Sequence, residues 1–227
     1  MVANNFITQS TGTSTTYGIY SYYTNYTNYY NNNINITGTN SSARAAYLYY
    51  GGNLEFVNNI VVNTGGGMCV YATPGTNLTD IDYNDYYWTG PDLGYYSTNQ
   101  ANLAAWQGAT GDDANSINAD PLYYTLSDLH VSAPALDGTG QNHTEVTDDI
   151  DDEVRNNPPD IGADEFVLPP LDAGISQINN PVTPATVGVN NIDITIKNFG
   201  STNLTSADID WEVDGVPQTT FNWAGNI

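Results

Sequence analysis

A chain of 227 residues can hold one large all-β domain, or one domain and part of another. Its 25 acidic residues face only three basic ones, Arg44, Arg155 and Lys197, for a net charge of −22. Such a surface repels phosphate backbones and anionic membranes, which excludes nucleic acid as a partner, and the same charge makes calcium a candidate cofactor that would neutralise clustered carboxylates.

Residues 1 to about 90 carry a recurring Asn-rich pattern. Asn5-Phe6-Ile7, Asn33-Ile34-Asn35, Asn59-Ile60-Val61 and Asn84-Asp85-Tyr86 follow one another at steps of 28, 26 and 25 residues. A unit that short cannot bury its own apolar face, so stacked neighbours must share one core. The β-like pieces Tyr17–Tyr20, Tyr47–Tyr49 and Met68–Tyr71, divided by Asn, Gly and Thr turns, predict a parallel β-solenoid. The expected inward residues are Phe6, Ile19, Ile34, Ile36, Leu48, Phe56, Ile60, Val62, Val70 and Ile81. The Asn residues fit coil corners and can form amide ladders between coils. Because the chain begins inside a repeat, further sequence upstream is expected.

Tyrosines crowd the same coils: Tyr20, Tyr22, Tyr23, Tyr26, Tyr29 and Tyr30, then Tyr47, Tyr49 and Tyr50. They pack as a ladder, or those facing outward make a platform for glycans or proteins. The contact candidates are Tyr22, Tyr26, Tyr47 and Tyr49, with Tyr86 and Trp88 beside Tyr87 in a later coil. Cys69, the single cysteine, has no disulfide partner and sits in an apolar stretch as a small buried hydrophobe. Asp80 and Asp82 would share a strand face, the minimum a glycoside hydrolase needs.

Residues 97 to 111 read as a capped short helix around Leu103 and Trp106. Asp120-Pro121-Leu122-Tyr123 and Leu129-His130-Val131 read as short strands, and Ser132–Gly138 as a corner. Ala119–Leu122, Asp128-Leu129-His130, Ser132–Asp137 and Pro159–Glu165, in that order, resemble the closing coils of secreted right-handed parallel β-helix proteins (pectate-lyase-like) of Bacteroidota-type bacteria. The resemblance covers roughly residues 1 to 167. It implies an extracellular, cell-surface location and a piece of a large multidomain protein. That family has Asp-Gly before the Arg near its end, whereas this chain has Asp151-Asp152-Glu153-Val154-Arg155.

The acidic run offers Asp149, Asp151 and Asp152 as calcium ligands, though without the spaced Gly pattern of an EF-hand. Pro169-Pro170 forms a stiff linker over 168–171. Beyond it, Ile192, Ile194 and Ile196 alternate with polar residues, as do Ile209, Trp211 and Val213, and Asp214-Gly215 marks a hairpin. Residues 172–227 thus resemble the front of an immunoglobulin-like β-sandwich of the bacterial adhesion type. A full sandwich needs about 100 residues, so this one is truncated, completed by later sequence or completed by a partner's strand.

A polysaccharide lyase would need an Arg or Lys base in a groove that offsets a polyuronate's charge. Here the cations lie far apart in sequence. The sequence therefore favours a non-catalytic fragment of a secreted or surface protein, a rigid adhesive scaffold joined to other domains. The competing expectation is a carbohydrate-active β-helix or glycan-binding module.

Overall fold

The computed structural model describes residues 1–185 and 187–227, which fall into two compact units, Met1–Phe166 and Val167–Ile227. The chain is all-β, and its first unit contains a β-solenoid of about three turns, consistent with a parallel β-helix. In chain order its strands are β1 (Val2–Ala3), β2 (Phe6–Gln9), β3 (Tyr17–Tyr30), β4 (Asn33–Ile36), β5 (Arg44–Val57), β6 (Ile60–Asn63), β7 (Met68–Ala72), β8 (Thr76–Asp82), β9 (Asp85–Trp88), β10 (Gly94–Tyr96) and β11 (Thr98–Gln100). Helix α1 spans Leu103–Thr110. One sheet runs β1-β3-β5-β7-β10-β11, with β8 continuing beside β5; the other runs β2-β4-β6-β9.

The second sheet has four parallel rungs: Phe6–Asn33–Ile60–Asp85, Ile7–Ile34–Val61–Tyr86, Thr8–Asn35–Val62–Tyr87 and Gln9–Ile36–Asn63–Trp88. Successive side chains point to opposite faces. Ile34, Ile36, Val61 and Tyr86 enter the lumen core with Ile19, Leu48, Phe56, Val70 and Ile81. Ile60 and Val62 instead join an outer core with Val131, Ala133, Leu136 and Ile161. The expected inward set therefore needs correcting for Phe6, Ile60 and Val62, which face outward. Phe6 meets the His130 ring edge-on, its centroid 4.9 Å away. Both faces of this sheet are covered, which is why Asn33–Ile36 and Ile60–Asn63 are buried at every residue.

The register also corrects the repeat. Phe6 pairs with Asn33, so the equivalent of Asn5 is Asn32, and the aligned series is Asn5, Asn32, Asn59 and Asn84. Their amides form a ladder: Asn5 Nδ2 donates to Asn32 Oδ1 (2.8 Å), Asn32 to Asn59 (2.9 Å), Asn59 to Asn84 (3.1 Å) and Asn84 to Asp113 (3.4 Å). Each buried amide also donates to backbone carbonyls, Asn59 to those of Tyr29 and Val57. The ladder thereby satisfies corner groups that no strand reaches. At Gly51 (φ +123°) a Cβ would lie 2.0 Å from the Thr24 oxygen, so only glycine lets β5 bend against β3 there.

Helix α1 starts at Asn102, whose side chain accepts from the Ala105 N–H (2.9 Å), and ends at left-handed Gly111. Thr98–Gln100, expected to open the helix, pairs instead with β10. Trp106 is fully buried beside Tyr86, and its Nε1 donates to Asp113 (2.5 Å).

Residues 113–166 return as a strap along the outer face of the second sheet. Asn33 Nδ2 donates to Leu129 O (2.8 Å), and Asn33 Oδ1 accepts from the Ala163 N–H (2.9 Å). Thr8 Oγ1 reaches Leu126 O (2.6 Å) and Asn4 Nδ2 reaches Asp148 O (2.6 Å). The short strands expected at 120–123 and 129–131 are absent. Their groups bond to side chains of the sheet and to local turns, such as Tyr124 N to His130 O (3.1 Å).

The second unit comprises β12 (Ala173–Asn180) with β13 (Asp193–Asn198), β14 (Ser206–Ile209) with β17 (Phe221–Ala224), and β15 (Glu212–Val213) with β16 (Val216–Pro217), all antiparallel. Asp214 and Gly215 turn the last hairpin with φ of 51° and 79°. Among its described large apolar residues only Leu168 and Leu204 are buried, while Ile175, Ile178 and Phe221 are at least half exposed. Three separate strand pairs with an open apolar face do not amount to a closed sandwich.

Candidate functional site

The outer face of the first sheet carries an ordered array of tyrosines. Strands β3, β5, β7 and β10 pair in parallel with Tyr20 against Tyr47, Tyr47 against Tyr71, and Tyr71 against Tyr95. Identical residues on one rung are forced together, so the rings stack with centroids 5.2, 5.0 and 4.6 Å apart and planes within 18°. Tyr22 on Tyr49 makes a second column (5.2 Å, 7°) and Tyr23 on Tyr50 a third (5.2 Å, 15°). Tyr23 and Tyr50 both adopt positive φ, 53° and 50°. That kink, repeated in successive coils, breaks the alternation and keeps two consecutive tyrosines outside.

Burial and the neighbouring phenols push Tyr47 up to about 12 and raise Tyr71 and Tyr49 as well. Arg44 lies 5.8 Å from the Tyr71 ring centroid and donates to the Ser41 and Ala43 carbonyls. Ring faces inside a column are occupied by the next ring, so the surface offers mainly edges and hydroxyls.

Of the contact residues expected from sequence, Tyr22, Tyr47 and Tyr49 belong to this array. Tyr26 is 81% exposed and stacks on no ring among the described residues. Tyr86 is fully buried and Trp88 half-buried: their rungs point into the lumen, and Tyr86 donates its hydroxyl to Asp113 (2.7 Å). Tyr17, Tyr20, Tyr71 and Tyr95 were missed. The signal for three of them was present, since Tyr20, Tyr47, Tyr71 and Tyr95 recur at steps of 27, 24 and 24, the step of the coils.

The acidic run serves the strap. Asp149 is buried, and its carboxylate accepts from the backbone N–H groups of Asp151, Glu153 and Glu165 at 2.8 to 2.9 Å. Asp152 is exposed, and Asp151 turns to His130 Nε2 (2.7 Å). Asp149, Asp151 and Asp152 thus do not converge. Among the described residues, the one group of three possible metal ligands that does converge is His130, Asp151 and Asp164, within 4.8 Å of one another. His130 also meets Asp128 through Nδ1. Burial alone would lower its pKa, but the bonds to Asp128 and Asp151 lift it to about 9, so an imidazolium supplies the positive charge there. Calcium takes six to eight oxygen ligands, which this set lacks.

The remaining candidates are engaged structurally. Arg155 lies buried against Glu165 (3.4 Å), Asn4 Oδ1 (3.0 Å) and the carbonyls of Gly162 and Ala163. Asp82 accepts from Asn115 N and Nδ2, both at 2.7 Å, whereas burial raises Asp80 near His143. Between the second sheet and the strap runs a groove of about 410 Å³, lined by Asn35, Thr37, Thr64, Tyr87, Asp120 and Tyr123 among others. Thr37 Oγ1 and Tyr123 OH are buried there without hydrogen-bond partners among the described residues.

Comparisons with protein-family profiles, curated proteins and solved structures give no match to this chain. What the fold and site define is a parallel β-solenoid with one strapped face and one tyrosine-lined face.

Proposed function

We propose that the chain is a non-catalytic, rigid scaffold from a secreted or cell-surface bacterial protein, with the tyrosine array as its contact surface. One observation carries the reading: the second sheet is covered outside by the strap, while the first leaves Tyr20, Tyr22 and Tyr23 more than half exposed in ordered columns. Large neutral rings with hydroxyl edges suit protein or glycan contact. The second unit fits this reading as the front of an immunoglobulin-like adhesion module linking onward to other domains. Its hairpin at Asp214-Gly215 and its open apolar face support that assignment.

The engaged states of Arg44, Arg155 and Asp82 argue against a lyase or hydrolase. A neutral-glycan module is the second reading, favoured by the hydroxyl-rich groove with its unpartnered Thr37 and Tyr123. A glycan array, run with reducing-sugar and unsaturated-uronate assays, tests both. Turnover of any polysaccharide overturns the scaffold reading. Binding abolished by Tyr22→Ser with Tyr49→Ser assigns the contact to the array, and binding abolished by Tyr87→Ala assigns it to the groove.

A further inference from the structure

We propose that the tyrosine columns are a site of oxidative dityrosine cross-linking that staples successive coils of the solenoid. The geometry is that of an intramolecular coupling: Tyr20 and Tyr47 lie 5.2 Å apart with planes within 4°, Tyr22 and Tyr49 5.2 Å within 7°, and Tyr71 and Tyr95 4.6 Å within 8°. Tyr20 and Tyr22 are 56% and 51% exposed, so a small oxidant reaches the column ends. The backbone ladder fixes each pair, while outer side chains still rotate fast enough to bring ring edges together.

The co-reactant is a peroxide acting through a peroxidase, and the step balances. Each phenol gives up one electron and its hydroxyl proton to become a phenoxyl radical. The two radicals form one carbon–carbon bond between positions ortho to oxygen. The two ortho protons then shift off as the rings regain aromaticity and the oxygens are reprotonated. The protein loses two hydrogens in all, and one hydrogen peroxide becomes two waters. The product ties β3 to β5, or β7 to β10, by a covalent bond across the stacking direction of the solenoid.

The inference does not depend on any glycan or protein binding by the same face. Its test treats the full chain, at high dilution, with hydrogen peroxide and a peroxidase, then reads intact mass, dityrosine fluorescence and cross-linked peptides. The expected result is monomer lighter by two hydrogens per link, with links mapped to Tyr20–Tyr47, Tyr22–Tyr49 or Tyr71–Tyr95. Tyr26 and Tyr124, 81% and 64% exposed and stacked on no other tyrosine, serve as internal controls. Column pairs should outcompete them by about tenfold, the sense expected when reactants are held together. The variant with Tyr20→Phe and Tyr22→Phe keeps the stacks and should lose the first two links while retaining native circular dichroism. Links confined to Tyr26 or Tyr124, links only between molecules, or no dityrosine at all would overturn the inference.

Discussion

Asn59 and Asn84 are joined twice: the Asn84 Oδ1 accepts from the Asn59 backbone N–H at 2.9 Å and from its Nδ2 at 3.1 Å. The same double contact links Asn32 to Asn59 one coil earlier. Asn59→Ala therefore strips partners from the Asn32 N–H and amide and from the Tyr29 and Val57 carbonyls. It should lower stability in urea by about 3 kcal/mol, whereas Asn5→Ala, at the half-buried end of the ladder, should cost about 1 kcal/mol. Equal effects would sink the ladder as a cooperative element.

Stability should fall as pH rises from 4 to 9. Burial holds Asp113 up at about 6 and Asp160 at about 7, both from an ordinary 3.8, each partly offset by hydrogen bonds. A carboxyl with a raised folded pKa binds its proton more tightly when folded, so stability is lost between 3.8 and those values. His130, raised from 6.5 to about 9, adds stability that is complete below 6.5 and lost as pH climbs through 9. Its partly solvated pairs make that share on the order of 1 kcal/mol. Urea midpoints at pH 4.5, 7 and 9.5 check the order, and His130→Asn should flatten only the upper segment.

Asp85 is a stabilising target. Its Oδ1 accepts from the Ala119 N–H (2.8 Å), its Oδ2 is buried without a partner among the described residues, and burial pushes it well above the carboxylate range. Asp85→Asn keeps the first bond and removes a buried ionisation. Relative to wild type, it should gain about 1 kcal/mol more at pH 8 than at pH 5. A pH-independent difference would show that Asp85 is ionised in the folded state as in the unfolded one, and that burial does not raise it.

Cys69 should resist thiol reagents until the solenoid opens. It is fully buried, its Sγ donates to Val61 O (3.0 Å), and burial raises the thiol well above its usual range. Labelling in native buffer should be slower than in urea by about a thousandfold, since only the rare open form reacts.

The two units should differ sharply in amide exchange. Strand β6 is buried throughout, whereas in β13 exposed and half-buried residues alternate. Amides of β13 should exchange about a hundredfold faster than those of β6 or more. A fluorescent apolar dye should bind the open face near Ile175, Ile178 and Phe221, and Phe221→Ser should weaken it.

The coil spacing made the solenoid legible, because stacked turns of nearly equal length repeat their corner asparagines. The same reading misplaced one register point, since Asn32 and Asn33 are adjacent and only the pairing of Phe6 shows which is aligned. Ile60 and Val62 were read as inward because alternation gives two faces without saying which is the lumen. The strap covers both choices with apolar atoms. Tyr86 and Trp88 illustrate a related point: their ring chemistry suits a surface, yet their rungs follow Ile34 and Ile36 inward, burying Tyr86 fully and Trp88 in part. The acidic run was visible, but its role depended on Glu165 and His130, distant in sequence and brought close only by the strap.

The strap also sets an order of events. Residues 31 and 33 hold residues 162 and 163, and Asn4 receives Arg155 across 151 positions. Simple stacked repeats can grow from any point, each turn templating its neighbour. These contacts cannot form that way during synthesis, because the turns at Asn4 and at residues 31–33 bond to segments made more than a hundred residues later. Until then the outward Ile60 and Val62 stand bare, which exposes the nascent form to aggregation and makes its maturation slow for its size.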